Sequence, residues 1–255
     1  RRARKSAVVA VMAVWHAAFV DCKPYVAPGE RASVPILAKN KADAETLIGF
    51  VEAILAEPGL AFLKGGDSSA EKGIPLTTGV DIVIRAASLT AGRSKTSPLA
   101  VLEEVAFFRS EDSATPDVEI LRGIRPAFAT VPNALLVGIS SPYARRGVLW
   151  LAYKDHYGVE NDPILVWNAP TLEMHETPQL REVVAQAFRD DPVGAAAEYG
   201  AGFRTDVETY ISVEVLDAVT VPGRRELPPV PFVKYRAFVD VSGGSAYSFP
   251  LSIGH

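Results

Sequence analysis

Four short apolar runs, each separated from the next by a segment that can form a helix or a long connection, constrain this chain more than any other feature. They are "ASVPILA" (32 to 38), "GVDIVIRAAS" (79 to 88), "PLAVLEE" (98 to 104) and "NALLVGISS" (133 to 141). Before the first stands "SAVVAVMAVWHAAFV", from Ser6 to Val20. After it, "KADAETLIGFVEAILAEP" places Ala44, Leu47, Ile48, Val51, Ile54 and Leu55 at helical spacing and stops at Pro58. Runs of this kind are strands buried on both faces, and helices interleaved with them imply a mainly parallel sheet covered by helices on both faces, an α/β fold. The stretch from Ser6 is read as a buried helix.

The second half has a different texture. "SPYARRGVLWLAYKDHYG" reads as a helix, "PILVWNAP" as a strand, and "PQLREVVAQAFRDDPVGAAAEYGAGF" as two short helices parted by Pro192. The proline-dense "VPGRRELPPVPF", Val221 to Phe232, is a linker signature. Beyond it, "YRAFVDVSGGSAYSFPLSIGH" reads as strand, glycine turn and strand. The boundaries expected are a first domain at 1 to 195, a helical and proline-rich linker at 196 to 232, and the start of a second domain at 233 to 255. An apolar content of 48% in 255 residues supplies a core, so the disordered class is excluded.

A net charge of −4 gives no global attraction to nucleic acid, so binding there would need a local basic patch. The apolar run from Ser6 is shorter than the ~20 residues of a membrane span, so no membrane association is expected. It follows basic residues as a secretion signal does, but no small-residue cleavage site follows. A single cysteine, Cys22, cannot form an internal disulfide, which fits a reducing cytoplasm.

Ligands of an open parallel sheet bind outside the carboxyl ends of its strands. Glu103 and Glu104 close one such strand, where one carboxylate can hold a hydrated magnesium ion and its neighbour can orient a water for attack on phosphorus. Two ordinary surface acids would look the same. Lys5 and Ser6 stand directly before an apolar helix, as the lysine and hydroxyl of a phosphate-binding loop do, although Arg4 occupies the place of the last glycine. Ser140 and Ser141 end the next strand, where a small polar residue can sense a terminal phosphate. The same pair before Pro142 is also plain turn chemistry. His16, His156, His175 and His255 lack metal-ligand spacing and read as structural or exposed.

In this order the pieces resemble the large terminase subunit of tailed bacteriophages. "RRARKS" is similar to the end of that family's arginine-rich Walker A motif, "VLEEVAFF" to its Walker B sequence, and "VGISSPYARRG" to its coupling motif. "WNAPTLEM" and "DPVGAAAEYGAGFRTD" resemble the stretch before the family's linker, and "AFVDVSGGSAYSFPLSIGH" the opening of its ribonuclease H-like nuclease domain. The resemblance implies a P-loop ATPase lacking its leading strand, followed by a truncated nuclease hairpin. In it, Arg4, Lys5, Ser6, Ser140 and Ser141 would contact ATP, Ser6 and Glu103 would hold Mg2+, and Glu104 would activate water. Asp240 would be one ligand of a two-metal nuclease site using Mg2+ or Mn2+. The implied partners are double-stranded DNA, a portal protein, a small terminase subunit and further copies in a ring on the prohead, in the cytoplasm of a bacterial host.

The chain departs from the family pattern at Glu103, usually Asp, and at Arg4, Val241 and Tyr247. An arginine finger is expected among Arg85, Arg93, Arg122, Arg125, Arg145 and Arg146. With half the phosphate loop lying before residue 1, low ATP turnover is expected of the chain as it stands. The alternatives are a helicase-like translocase, which the "DVSGG" hairpin disfavours, and a degenerate prophage remnant that binds DNA or procapsid without hydrolysis.

Overall fold

A computed structural model describes residues 5–68, 73–88, 95–108, 116–204, 215, 218–224, 228–239 and 251–254. Its centre is a five-stranded sheet made of β1 (Ala32–Ala38), β2 (Ile74–Pro75), β3 (Val80–Ala86), β4 (Leu99–Glu103) and β5 (Leu135–Ile139). The order is β2-β3-β1-β4-β5. All neighbours are parallel except β2 against β3, with Ile36 beside Val101 and Val101 beside Val137. Every residue of β1 and β4 is buried, as the unbroken apolar runs require, whereas β5, expected to be buried on both faces, is exposed or half-buried throughout because it stands at the edge of the sheet.

Alternation along the central strands sends side chains to two cores. Val34, Ile36, Leu99 and Val101 meet α1 (Lys5–Phe19) and α2 (Lys41–Leu55) on one face. On the other face Leu37, Ala100 and Leu102 meet Ile120 and Ile124 of α3 (Pro116–Ile124), with Val148 and Leu149 of α4 (Gly147–His156) packed alongside. Helix α2 begins at Asn40, whose side chain accepts from the Asp43 amide. The short α5 (Thr171–Met174) precedes α6 (Pro178–Asp190) and α7 (Pro192–Glu198). Thr177 caps α6 and Asp191 caps α7, each followed by a proline in the first turn, so Pro192 starts a helix where it ends the pattern before it.

Three expectations need correction. Helix α1 is buried on one face only: Val9, Ala10, Ala13, Val14 and Ala17 pack inward, whereas Val8, Val11, Trp15 and Phe19 are more than half exposed. Its sequence is apolar all round, so periodicity could not distinguish the two faces. "PILVWNAP" forms no strand, because no described strand lies beside it to complete a ladder, and Leu165 and Trp167 are 88% and 77% exposed. Finally, the helix expected from Ser141 starts only at Gly147; residues 141 to 146 form a loop that Pro142 opens and Gly147 ends with φ +77°.

The chain divides into two compact units, residues 1–207 and 208–255. In the second, β6 (Arg236–Val239) pairs antiparallel with β7 (Leu251–Gly254), Val239 beside Leu251, and β6 is exposed along its length. The expected glycine turn, with Asp240, Val241 and Tyr247, lies outside the described residues. No described helix is long and apolar enough to cross a membrane.

Candidate functional site

Parallel strands β1, β4 and β5 deliver their carboxyl ends to the same margin of the sheet, and the first turn of α1 lies there too. Glu103, the last residue of β4, is 5% exposed. Ser6 Oγ, one residue into α1, donates a short hydrogen bond to Glu103 Oε1. The other carboxylate oxygen, Oε2, is buried without a hydrogen-bond partner. Burial raises the Glu103 carboxyl above its ordinary range. The Ser6 hydrogen bond and the charge of Lys5 oppose that shift, and the charges of Glu104 and Asp43 add to it.

Glu104 leaves the strand in the left-handed region, φ 54° and ψ 43°, a conformation disfavoured for a residue with a Cβ. The kink ends the ladder and sends the chain into a single 3-10 turn, Val105–Phe107. Glu104 Oε2 accepts from Ser140 Oγ at 3.2 Å and from the Ser141 backbone N–H at 3.4 Å. Ser140 Oγ accepts in turn from the Ala106 N–H at 3.3 Å. Lys5 Nζ donates to Ser141 Oγ at 3.3 Å. Lys5, Ser6, Glu103, Glu104, Ser140 and Ser141 therefore form one cluster drawn from the first turn of α1, the end of β4 and the loop after β5. Arg4 and Asp240 lie outside the described residues.

The loop after Ser141 has further anchors. Its Tyr143 carbonyl accepts from the Arg204 N–H at 2.7 Å, and the Tyr143 ring meets Phe107 at 5.1 Å, with Lys39 Nζ 5.3 Å from the Phe107 centroid. Asp117, at the start of α3, accepts the Val148 N–H at 2.6 Å. Sequence reasoning missed Asp117 and Arg204, and no local signal marks either, since each acts on backbone far away in sequence. Among the arginines considered, Arg145 lies over Trp150 at 5.6 Å, and Arg93 is outside the described residues. His16 contacts its own helix through the Met12 carbonyl, and His156 pairs with Asp162 at 2.9 Å, both structural arrangements. His255 is not among the described residues.

Chemically the cluster offers hard oxygen donors, a cation and a carboxylate aimed at a small polar loop. A hydroxyl and a buried carboxylate with one open oxygen fit a magnesium ion that keeps most of its waters, as this ion prefers. Among the described residues no group of three or more histidine, cysteine or acidic side chains could hold a metal ion.

No protein-family model matches the sequence, and no curated protein does. Solved structures do match in fold. The large terminase ATPase domain of Thermus phage P74-26 aligns with a TM-score of 0.56 at 16% identity, covering 80% of this chain and 85% of that one. A mutant of the same domain, with one arginine replaced by alanine, aligns at 0.57 and 15% identity, covering 80% and 86%. The large terminase of bacteriophage HK97 aligns at 0.63 and 18% identity, covering 95% of this chain and 52% of its own. The first unit thus has the fold of a terminase ATPase domain, and the chain spans about half the length of the HK97 protein.

Proposed function

We propose that this chain is the motor portion of a viral DNA-packaging protein, a P-loop ATPase whose hydrolysis drives DNA translocation. The observation that carries this reading is the hydrogen-bonded circuit at the carboxyl ends of β4 and β5, in which Lys5 reaches Ser141, Ser141 and Ser140 hold Glu104, and Ser6 sits on Glu103.

In this reading Lys5, with Arg4 beside it, neutralises phosphate oxygens at the start of α1, where the helix dipole also favours an anion. Ser6 and Glu103 would hold Mg2+, which supplies charge neutralisation on the phosphates when bound. Glu104 accepts a proton from the attacking water, and its left-handed backbone turns the carboxylate away from the strand into the crevice. Ser140 and Ser141 hold that carboxylate in place. The contact of Ser141 with Lys5 lets the loop after β5 register whether a phosphate has taken the lysine away.

For the whole parent protein we read residues 1 to 195 as the ATPase domain, 196 to 232 as linker and 233 to 255 as the start of a metal-dependent nuclease domain in which Asp240 is a ligand. The proposed partners are double-stranded DNA, a portal protein, a small terminase subunit and copies of the chain in a ring. The proposed setting is the host cytoplasm. The test is binding of a fluorescent ATP analogue with and without Mg2+, together with single-turnover phosphate release. Ser6→Ala and Glu103→Ala should abolish the Mg2+ dependence of binding. Glu104→Gln should keep binding and stop release. Mg2+-dependent binding unchanged by Ser6→Ala and Glu103→Ala, or phosphate release unchanged by Glu104→Gln, rules this site out.

A further inference from the structure

Helix α4 lacks a cap of its own. Its N-cap residue is Arg146, whose side chain makes no capping hydrogen bond, yet the first amides of any helix need acceptors. The acceptor comes from another helix: Asp117 Oδ2, in the first turn of α3, takes the Val148 N–H at 2.6 Å, and Asp117 is only 9% exposed. The fit is tight enough to dictate the neighbouring residue. Gly147 has φ +77°, and a Cβ there would stand 2.2 Å from the same Oδ2. A carboxylate at a helix N-terminus is charge-assisted and favoured by the dipole, so this is a stronger clamp than a neutral cap.

The clamp closes a loop that carries the candidate chemistry. Residues 140 to 147 are held at Ser140 and Ser141 by Glu104, at the Tyr143 carbonyl by Arg204, and at the far end by Asp117 through Val148. The segment is short and is held at both ends and once between them, so releasing one end frees a connection whose remaining anchors are at Tyr143 and at Glu104. We propose that Asp117 is a positioning residue: by fixing the start of α4 it holds the Ser140 and Ser141 pair against Glu104 and Lys5, and so sets the affinity of the site for a nucleoside triphosphate. The nucleotide part of this inference rests on the ATPase reading above; the part concerning the loop does not.

The experiment measures amide exchange across residues 140 to 148, with Ile82 in β3 as an internal control, and the affinity for a slowly hydrolysed ATP analogue with Mg2+, in the full chain and three variants. Asp117→Ala should raise exchange at Val148 and also at Ser140 and Ser141 by at least tenfold, leave Ile82 unchanged, and weaken analogue binding by at least fivefold. Asp117→Asn retains an acceptor oxygen but loses the charge, and should fall between the parent and Asp117→Ala in both measurements. Gly147→Ala, which displaces the carboxylate without removing it, should reproduce the Ala effect, and it keeps the test decisive if Asp117→Ala fails to fold. Faster exchange confined to Val148, with Ser140, Ser141 and analogue affinity unchanged, reduces Asp117 to a helix cap and overturns the proposal. So does an Asn variant as impaired as Ala. If the parent chain binds no analogue at all, the ATPase reading falls, and the exchange at Ser140 and Ser141 still decides the role of Asp117.

Discussion

At the N-terminal end of β3 the sheet buries Asp81, and at the C-terminal end of β4 it buries Glu103; the two carboxylates are treated in opposite ways. Asp81 is matched twice over. Arg31 Nε reaches one oxygen at 2.7 Å, Lys95 Nζ the other at 3.4 Å, and Arg31 also donates to the Leu76 carbonyl at 2.8 Å. Glu103 has one hydroxyl, one open oxygen and a second carboxylate as its chain neighbour. A sheet end that only needs to be stable satisfies its buried charge completely, because an unpaired one costs several kcal/mol. On the reading proposed above, the end that leaves an oxygen open and raises its carboxyl is the one that would take a ligand.

The sharpest way to break this comparison is at Glu104. In a chain extended upstream by the rest of its phosphate loop, Glu104→Gln should lower phosphate release by two to three orders of magnitude, the usual scale of losing a general base, roughly 3 kcal/mol or more of barrier, while thermal stability stays near that of the parent. Equal loss of release on replacing Asp81 would erase the distinction between the two ends. Asp81→Asn itself should cost about 2 kcal/mol of unfolding free energy in urea, since it removes the charge that Arg31 and Lys95 face, and nucleotide affinity should hardly change.

Glu103→Gln comes next and has the opposite sign. In the parent the folded chain holds the Glu103 proton more tightly than the unfolded chain does, so stability is greatest below the ordinary glutamate range and falls as pH rises through the raised folded value. Glu103→Gln removes that fall, for a gain on the order of 1 kcal/mol above it, and Mg2+ should stabilise the parent there but not the variant. Urea titrations at several pH values, with and without Mg2+, measure both effects; a parent that gains stability as pH rises through this window contradicts them. The smallest effect belongs to Lys95→Met. Lys95 is 42% exposed and lies at the longer of the two distances from Asp81, so its loss should cost no more than about 0.5 kcal/mol.

How far the sequence foretells each end follows from what holds it. Strands β1 and β4 are legible because burial on both faces writes itself as continuous apolar runs; β3 and β5 carry similar apolar runs although β5, at the sheet edge, is exposed or half-buried along its length, and the paired glutamates stand out because charge follows such a run directly. The meeting of Lys5, Ser6, Glu103, Glu104, Ser140 and Ser141 follows from strand order in a parallel sheet. The Asp81 pairing, the Asp117 clamp and the left-handed Glu104 leave no local trace, since each depends on a partner 14 to 50 positions away or on a backbone angle that glutamate does not advertise. "PILVWNAP" misleads for the related reason that strand propensity registers only when a neighbouring strand is available to pair with it.

The two margins of the sheet are also unlike. At one, β2 is two residues long and includes Pro75, which has no N–H to offer; at the other, β5 runs for five residues and is half exposed. Edge-to-edge growth needs two competent edges per molecule, one to join and one to pass on. Among the described strands β5 is the longer and better-formed edge, so pairing through it would use up that edge in both participants and would not be passed on by the two-residue β2. Such an asymmetry of edges works against repeated edge-to-edge growth of the folded sheet.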